Sequence, residues 1–149
     1  MRLISHRGNI NGKKSELENK PDYVFEALKL GYDVEVDVWF VDGKFYLGHD
    51  NPEYNITTPF ISDDRIWCHA KNIAALSEMK KINDRFGYKI HYFWHQNDDV
   101  TITSKGHLWT YPGKELTLNS IQVLPEINDE ELGEVFGVCS DTIIKYKQI

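Results

Sequence analysis

Four short clusters in this 149-residue sequence carry side chains suited to acid–base and ion chemistry: His6-Arg7-Gly8, Glu18-Asn19, Glu35-Val36-Asp37 and His49-Asp50. Glu35 and Asp37 are the most informative. Alternate side chains of a β-strand share a face, so Glu35, Asp37 and Trp39 point one way and Val34, Val36 and Val38 the other. Two neighbouring carboxylates repel unless a cation lies between them. A hard divalent ion, Mg²⁺ or Ca²⁺, suits such oxygen ligands. Taken alone, the pair is better explained as a strand with one wet face. His6 closes an apolar run, at a strand end where α/β folds gather ligand sites, although a plain surface histidine also fits. Arg7 could fork onto a phosphate or pair with a surface acid. Gly8 permits close backbone approach or a turn. Glu18-Asn19, just ahead of Pro21, fits capping at a helix start.

The place of His49 follows from a hairpin. Asp42-Gly43 is a strong two-residue turn signal. A tight turn there pairs Val41 with Lys44 and, further on, Asp37 with Gly48, which brings His49 beside the two acids. Strict alternation puts His49 on the opposite face, and a bulge or bend at Gly48 would reverse that. Spacing alone leaves the facing open.

These residues need elements to position them. Strand-like runs fall at Arg2–His6, Val34–Phe40, Lys44–Leu47, Ile66–Lys71, Lys89–His95, His107–Tyr111, Ile121–Glu126 and Phe136–Ser140. Helical spacing with a glycine stop marks Pro21–Leu30 and Asn72–Phe86. Asn128–Gly133 reads as one or two helical turns, and Asp141–Gln148 as a terminal helix. The early alternation of strand and helix argues for α/β with parallel strands. The later runs are too closely spaced for a full helical crossover each. A complete (β/α) barrel takes about 250 residues, so the expected fold is a reduced or incomplete TIM-type barrel with several helices missing, in one domain over 1–149. Bare outer strand faces would need cover, and homodimerisation is one way to supply it.

Composition excludes several classes. The apolar share of 41% and aromatic share of 13% exclude disorder. No apolar run approaches the roughly 20 residues of a membrane span. A net charge of −6 argues against a nucleic-acid partner. Cys68 and Cys139 make no metal-binding spacing or disulfide framework and read as small buried hydrophobes, so a cytoplasmic location is the default.

The ordered set His6-Arg7-Gly8, Glu18-Asn19, Ala27, Gly31, Asp33, Glu35-Val36-Asp37-Val38, Asp42-Gly43 and His49-Asp50 resembles the glycerophosphodiester phosphodiesterase family, among the phosphatidylinositol-phospholipase-C-like barrels. The match covers residues 3–50, and the remainder matches only in outline. The resemblance implies metal-assisted cleavage of a small-molecule phosphodiester, some members first forming a cyclic phosphate. By the family pattern His6 and His49 are the general acid–base pair, Glu35 and Asp37 hold the divalent ion, and Arg7 contacts phosphate. Histidine titrates near neutrality, so one imidazole can accept a proton while the other donates.

The chain departs from that pattern at Trp67-Cys68-His69-Ala70-Lys71. His69 stands where the family often has a further acidic ligand, and Lys71 fits the family lysine as a phosphate contact or is a solvated side chain. An imidazole ligand suits Mn²⁺ or Zn²⁺ better than Ca²⁺. Alternatively His69 faces substrate and Glu126, with Asp141 behind it, completes the metal site. Trp94, His95, Gln96, Trp109 and Tyr111 either fill the interior or wall a substrate pocket able to stack on a ring. His91 and His107 begin strands and read as structural. Besides the enzyme, two other readings fit: a non-catalytic phosphate-binding module on the same fold, and an assembly subunit with relic motifs.

Overall fold

The computed structural model describes residues 1–147. In chain order the elements are β1 (Arg2–His6), α1 (Pro21–Lys29), β2 (Asp33–Val41), β3 (Lys44–Leu47), β4 (Tyr54–Ile56), α2 (Thr58–Ile61), β5 (Ile66–Ala70), α3 (Ile73–Phe86), β6 (His91–Phe93), β7 (Val100–Ile102), β8 (Leu108–Thr110), β9 (Ser120–Val123) and β10 (Gly137–Ser140). Single 3₁₀ turns occur at Pro125–Asn128 and Ile143–Tyr146. The former stands in for the helical turn expected at Asn128–Gly133, where the chain beyond Asn128 is irregular. The latter takes the place of the expected terminal helix, whose last residue, Gln148, lies outside the described residues.

The result is a mixed α/β fold built on one curled sheet. Its parallel strands run β6-β5-β2-β1-β10-β9-β8. From β1 the chain steps outward through β2, β5 and β6, and it returns to β1 from the other side through β8, β9 and β10. Sequence order is thus kept around the curl. No strand ladder joins β6 to β8 among the described residues. Side chains and a loop bridge that gap: Ser104 N donates to the Tyr92 carbonyl at 2.8 Å, and Thr103 Oγ1 lies 2.6 Å from His91 Nε2. The Phe93 and Trp109 rings stack across it with centroids 4.5 Å apart. The β3–β4 hairpin extends the outer half of β2, and β7 adds antiparallel to β8.

Side-chain parity divides the core in two. Val34, Val36 and Val38 pack outward against Val24, Ala27 and Leu28 of α1 and Ala75, Met79 and Ile82 of α3. Burying each such side chain stabilises the fold by about 1.5–3 kcal/mol. Residues of the opposite parity fill the curl: Ile4, Trp67, Phe93, Trp109, Ile121, Val123 and Cys139. α3 has both end signals, an Asn72 side chain accepting from Ala75 N at 2.9 Å and Gly87 in the left-handed conformation. α1 starts differently. Pro21 begins it, the preceding Lys20 makes no side-chain cap, and Asn19 is committed elsewhere. Among the described residues no α-helix covers the outer faces of β8, β9 and β10. Among the described residues no helix is long and apolar enough to cross a membrane.

Candidate active site and cation seat

The carboxyl ends of β1, β2 and β5 stand side by side. His6 is in register with Glu35, and Asp37 with His69. This register alone explains the grouping: parallel neighbours of like parity project inward together. Glu35 and Asp37 are 2% and 0% exposed. With His69 they form a cluster whose ligand atoms lie within 4.8 Å of one another. Glu35 Oε1 and Asp37 Oδ1 are buried with no hydrogen-bond partner. Buried charge of this kind is normally paired or holds a metal. Two orphaned oxygens on adjacent acids, facing an imidazole nitrogen, fit a divalent cation.

The other oxygen of Asp37 is occupied. Oδ2 accepts from Asn19 Nδ2 at 2.9 Å and lies 2.9 Å from Arg7 Nε, an ion pair whose angle falls short of a hydrogen bond. Asn19, at φ 67°, also accepts from the Asp37 backbone N–H at 2.9 Å through its Oδ1. Asn19 therefore locks both the side chain and the backbone of Asp37 rather than capping α1. Arg7 Nη1 donates to Glu18 Oε1 at 3.2 Å, so the guanidinium is held by two acids. Arg7 also lines the neighbouring cleft. Arg7 and Gly8 both adopt positive φ, 58° and 97°. A Cβ at Gly8 would come within 2.5 Å of the Tyr23 ring, so only glycine fits.

The environment drives the two acids apart. Burial, reinforced by Asp37, raises the Glu35 carboxyl above the usual range. Burial pushes Asp37 the same way, but the nearby His69 ring, the charge of Arg7 and the Asn19 bond outweigh it and lower Asp37.

His6 lies at the centre of a second network. Its Nδ1 is 2.7 Å from Asp141 Oδ1, and its Nε2 is 3.8 Å from Glu35 Oε1. Asn9 Nδ2 donates to Asp141 Oδ1 and to Glu18 Oε2, each at 2.8 Å. Burial alone would lower His6, yet the Asp141 bond and the Glu35 charge prevail and raise it. With Nδ1 bound to Asp141, Nε2 is the atom turned toward the acids.

His49 lies on the rim. Its side chain is 46% exposed, with Nδ1 2.8 Å from Asp50 Oδ1. Burial, with help from Arg7 and Lys71, lowers its pKa. His49 and Arg7 both line a cleft of about 520 Å³ with Lys13, Ser15, Glu16, Glu18, Asp50, Glu53 and Tyr54. A larger hollow of about 710 Å³ lies at the opposite end of the sheet, around Arg2, Asp33 and Phe136, away from every group described above. The hairpin turn falls at Asp42-Gly43, pairing Val41 with Lys44, and Gly48 N donates to the Asp37 carbonyl at 3.1 Å. The bend follows from Gly48, where a Cβ would stand 1.9 Å from the Asn51 carbonyl oxygen.

Several expected site residues are placed elsewhere. Glu126 does not join the acid cluster: Oε1 accepts from Ser140 Oγ and Oε2 from Asp141 N, each at 2.9 Å. It braces the strand end that carries Asp141. Trp94 packs against the outer core, because its parity is opposite to that of Phe93. Trp109 is core, stacked on Phe93. Lys71 follows β5, held through its backbone N–H to the Val38 carbonyl at 2.8 Å. His95 and Tyr111 do meet, ring centroids 4.7 Å apart, with His95 Nε2 donating to the Asp98 carbonyl at 2.7 Å and Tyr111 45% exposed. Gln96 is exposed. At the other end of the curl the Trp67 ring centroid lies 4.0 Å from that of His91 and 5.6 Å from that of His107, as structural residues would. Asn9, and the partnership of Asp141 with His6, had no sequence signal. Asn19 was visible only as a capping residue. No protein-family model, curated protein or solved structure matches this chain.

Proposed function

We propose that this protein is a metal-dependent phosphodiesterase on a reduced TIM-type barrel, cleaving a small phosphodiester by histidine acid–base catalysis. One observation carries the reading: two buried acids with unpaired oxygens share a strand-end rim with a histidine oriented by a carboxylate. Glu35, Asp37 and His69 would hold the cation. A divalent ion there supplies charge neutralisation for phosphoryl oxygens. The chain's own groups do the rest. Asp141 fixes the His6 tautomer and turns Nε2 toward the rim. The opposed shifts of the two histidines suit His6 to donating a proton to the leaving oxygen and His49 to accepting one from the attacking hydroxyl. Arg7 orients Asp37 and offers its free N–H groups to a phosphate in the cleft.

The test is turnover of a panel of phosphodiesters by the parent, His6→Ala and His49→Ala. Each substitution should lower turnover by at least about 100-fold. Equal turnover in all three proteins would refute the assignment. The exposure of His49 favours a second reading, a non-catalytic module that binds phosphate without cleaving it. Saturable phosphate binding with no turnover of any diester would select that reading.

A further inference from the structure

We propose that the seat formed by Glu35, Asp37 and His69 selects a first-row transition cation such as Mn²⁺ or Zn²⁺ over Mg²⁺ and Ca²⁺, with His69 Nδ1 as a ligand. The inference rests on the cation seat within the function proposed above and specifies what fills it. His69 Nε2 is 2.7 Å from the backbone carbonyl oxygen of His95. A carbonyl only accepts, so Nε2 carries the proton. Nδ1 is then the atom that faces Asp37 Oδ1 at 3.3 Å and Glu35 Oε2 at 3.7 Å. Both separations exceed the usual range of an N–H···O bond, and Asp37 Oδ1 remains unpartnered. A proton on Nδ1 would satisfy that oxygen at closer range. A lone pair there would face two carboxylates with nothing between them, an arrangement that a cation resolves.

The supports of the ring are those of a ligating imidazole. Donation of the distal N–H to a backbone carbonyl fixes tautomer and orientation and raises basicity. The ring lies 5.2 Å from Phe93 and within 8° of parallel. His95, which supplies the carbonyl, is itself anchored by its bond to Asp98. The donor set is then two carboxylates and one nitrogen. Imidazole suits zinc, iron and similar ions, whereas magnesium and calcium take oxygen almost throughout.

The experiment is cation binding by the full chain with Mn²⁺, Mg²⁺ and Ca²⁺ alone, measured by calorimetric competition. Pulsed electron paramagnetic resonance of bound Mn²⁺ is recorded in parallel. The parent should bind Mn²⁺ at least about tenfold more tightly than Mg²⁺, and bound Mn²⁺ should show ¹⁴N modulation. His69→Asp should still bind cations, lose the ¹⁴N modulation and lose most of the preference. Mn²⁺ bound without preference and without ¹⁴N modulation overturns the nitrogen ligand while leaving the acid seat intact. Binding by His69→Asp but not by the parent also overturns it, showing that the imidazole itself fills the seat. Absence of binding by both proteins overturns the seat altogether. If His69→Asp does not fold, the ¹⁴N signal of the parent decides.

Discussion

Glu35→Gln separates the cation's effect on stability from that of the carboxylate. Glu35 is 2% exposed, its Oε1 has no partner, and its surroundings on balance disfavour the charge, with burial the largest cause and Asp37 next. A neutral isostere removes that cost, so the cation-free variant should melt at or above the parent. With Mn²⁺ the order reverses. At 100 times its dissociation constant a cation adds about 2.7 kcal/mol of stability. For a chain of this length each kcal/mol moves the midpoint by about 2–4 °C, giving a rise of about 5–10 °C in the parent. A tenfold loss of affinity in Glu35→Gln halves that rise, and a hundredfold loss nearly removes it. The assay is thermal unfolding by circular dichroism near pH 7.5, with chelator and with Mn²⁺. An undiminished rise in the variant would refute the argument. So would a cation-free variant melting far below the parent, since the carboxylate would then be structural.

Three further outcomes follow from the same geometry. Burial holds His91 down to about 3, against 6.5 when unfolded; a lowered histidine contributes stability that is full above 6.5 and is lost as pH falls toward 3. Urea unfolding at pH 6, 5 and 4 should show the parent losing about 1.4 kcal/mol per pH unit relative to His91→Gln, and parallel curves would show that His91 is not held neutral. Asp141→Asn removes the partner that raises His6, so its imidazole titration by NMR should move to lower pH, while an unchanged midpoint would deny the pair. Gly48→Ala puts a Cβ against the Asn51 carbonyl oxygen and should cost at least about 2 kcal/mol in urea unfolding; a neutral effect would mean that the bend carrying His49 is loose.

The sequence made the early half of the fold legible because its signals are local. The Asp42-Gly43 turn and valine alternation set β2 and β3, and the Asn72 and Gly87 ends set α3. β4 and β7 have three residues each and too little alternation to register, and α2 is a single proline-led turn. Glu35 and Asp37 could be seen as a pair because a single residue, Val36, separates them. The place of His69 needed the β2–β5 register, and that of Asp141 the pairing of β1 with β10 across almost the whole chain. Asn19 shows the limit of a local reading: its position before Pro21 suits a cap, yet its left-handed backbone turns the amide to Asp37. Trp94 and Trp109 are alike in the sequence, and strand parity alone sends one to the outer core and the other inside.

The most direct measurement is anomalous diffraction from crystals grown in millimolar Mn²⁺. The account predicts one strong peak within about 2.6 Å of Glu35 Oε1, Asp37 Oδ1 and His69 Nδ1. A peak elsewhere, or none while those oxygens remain unpaired, would contradict it.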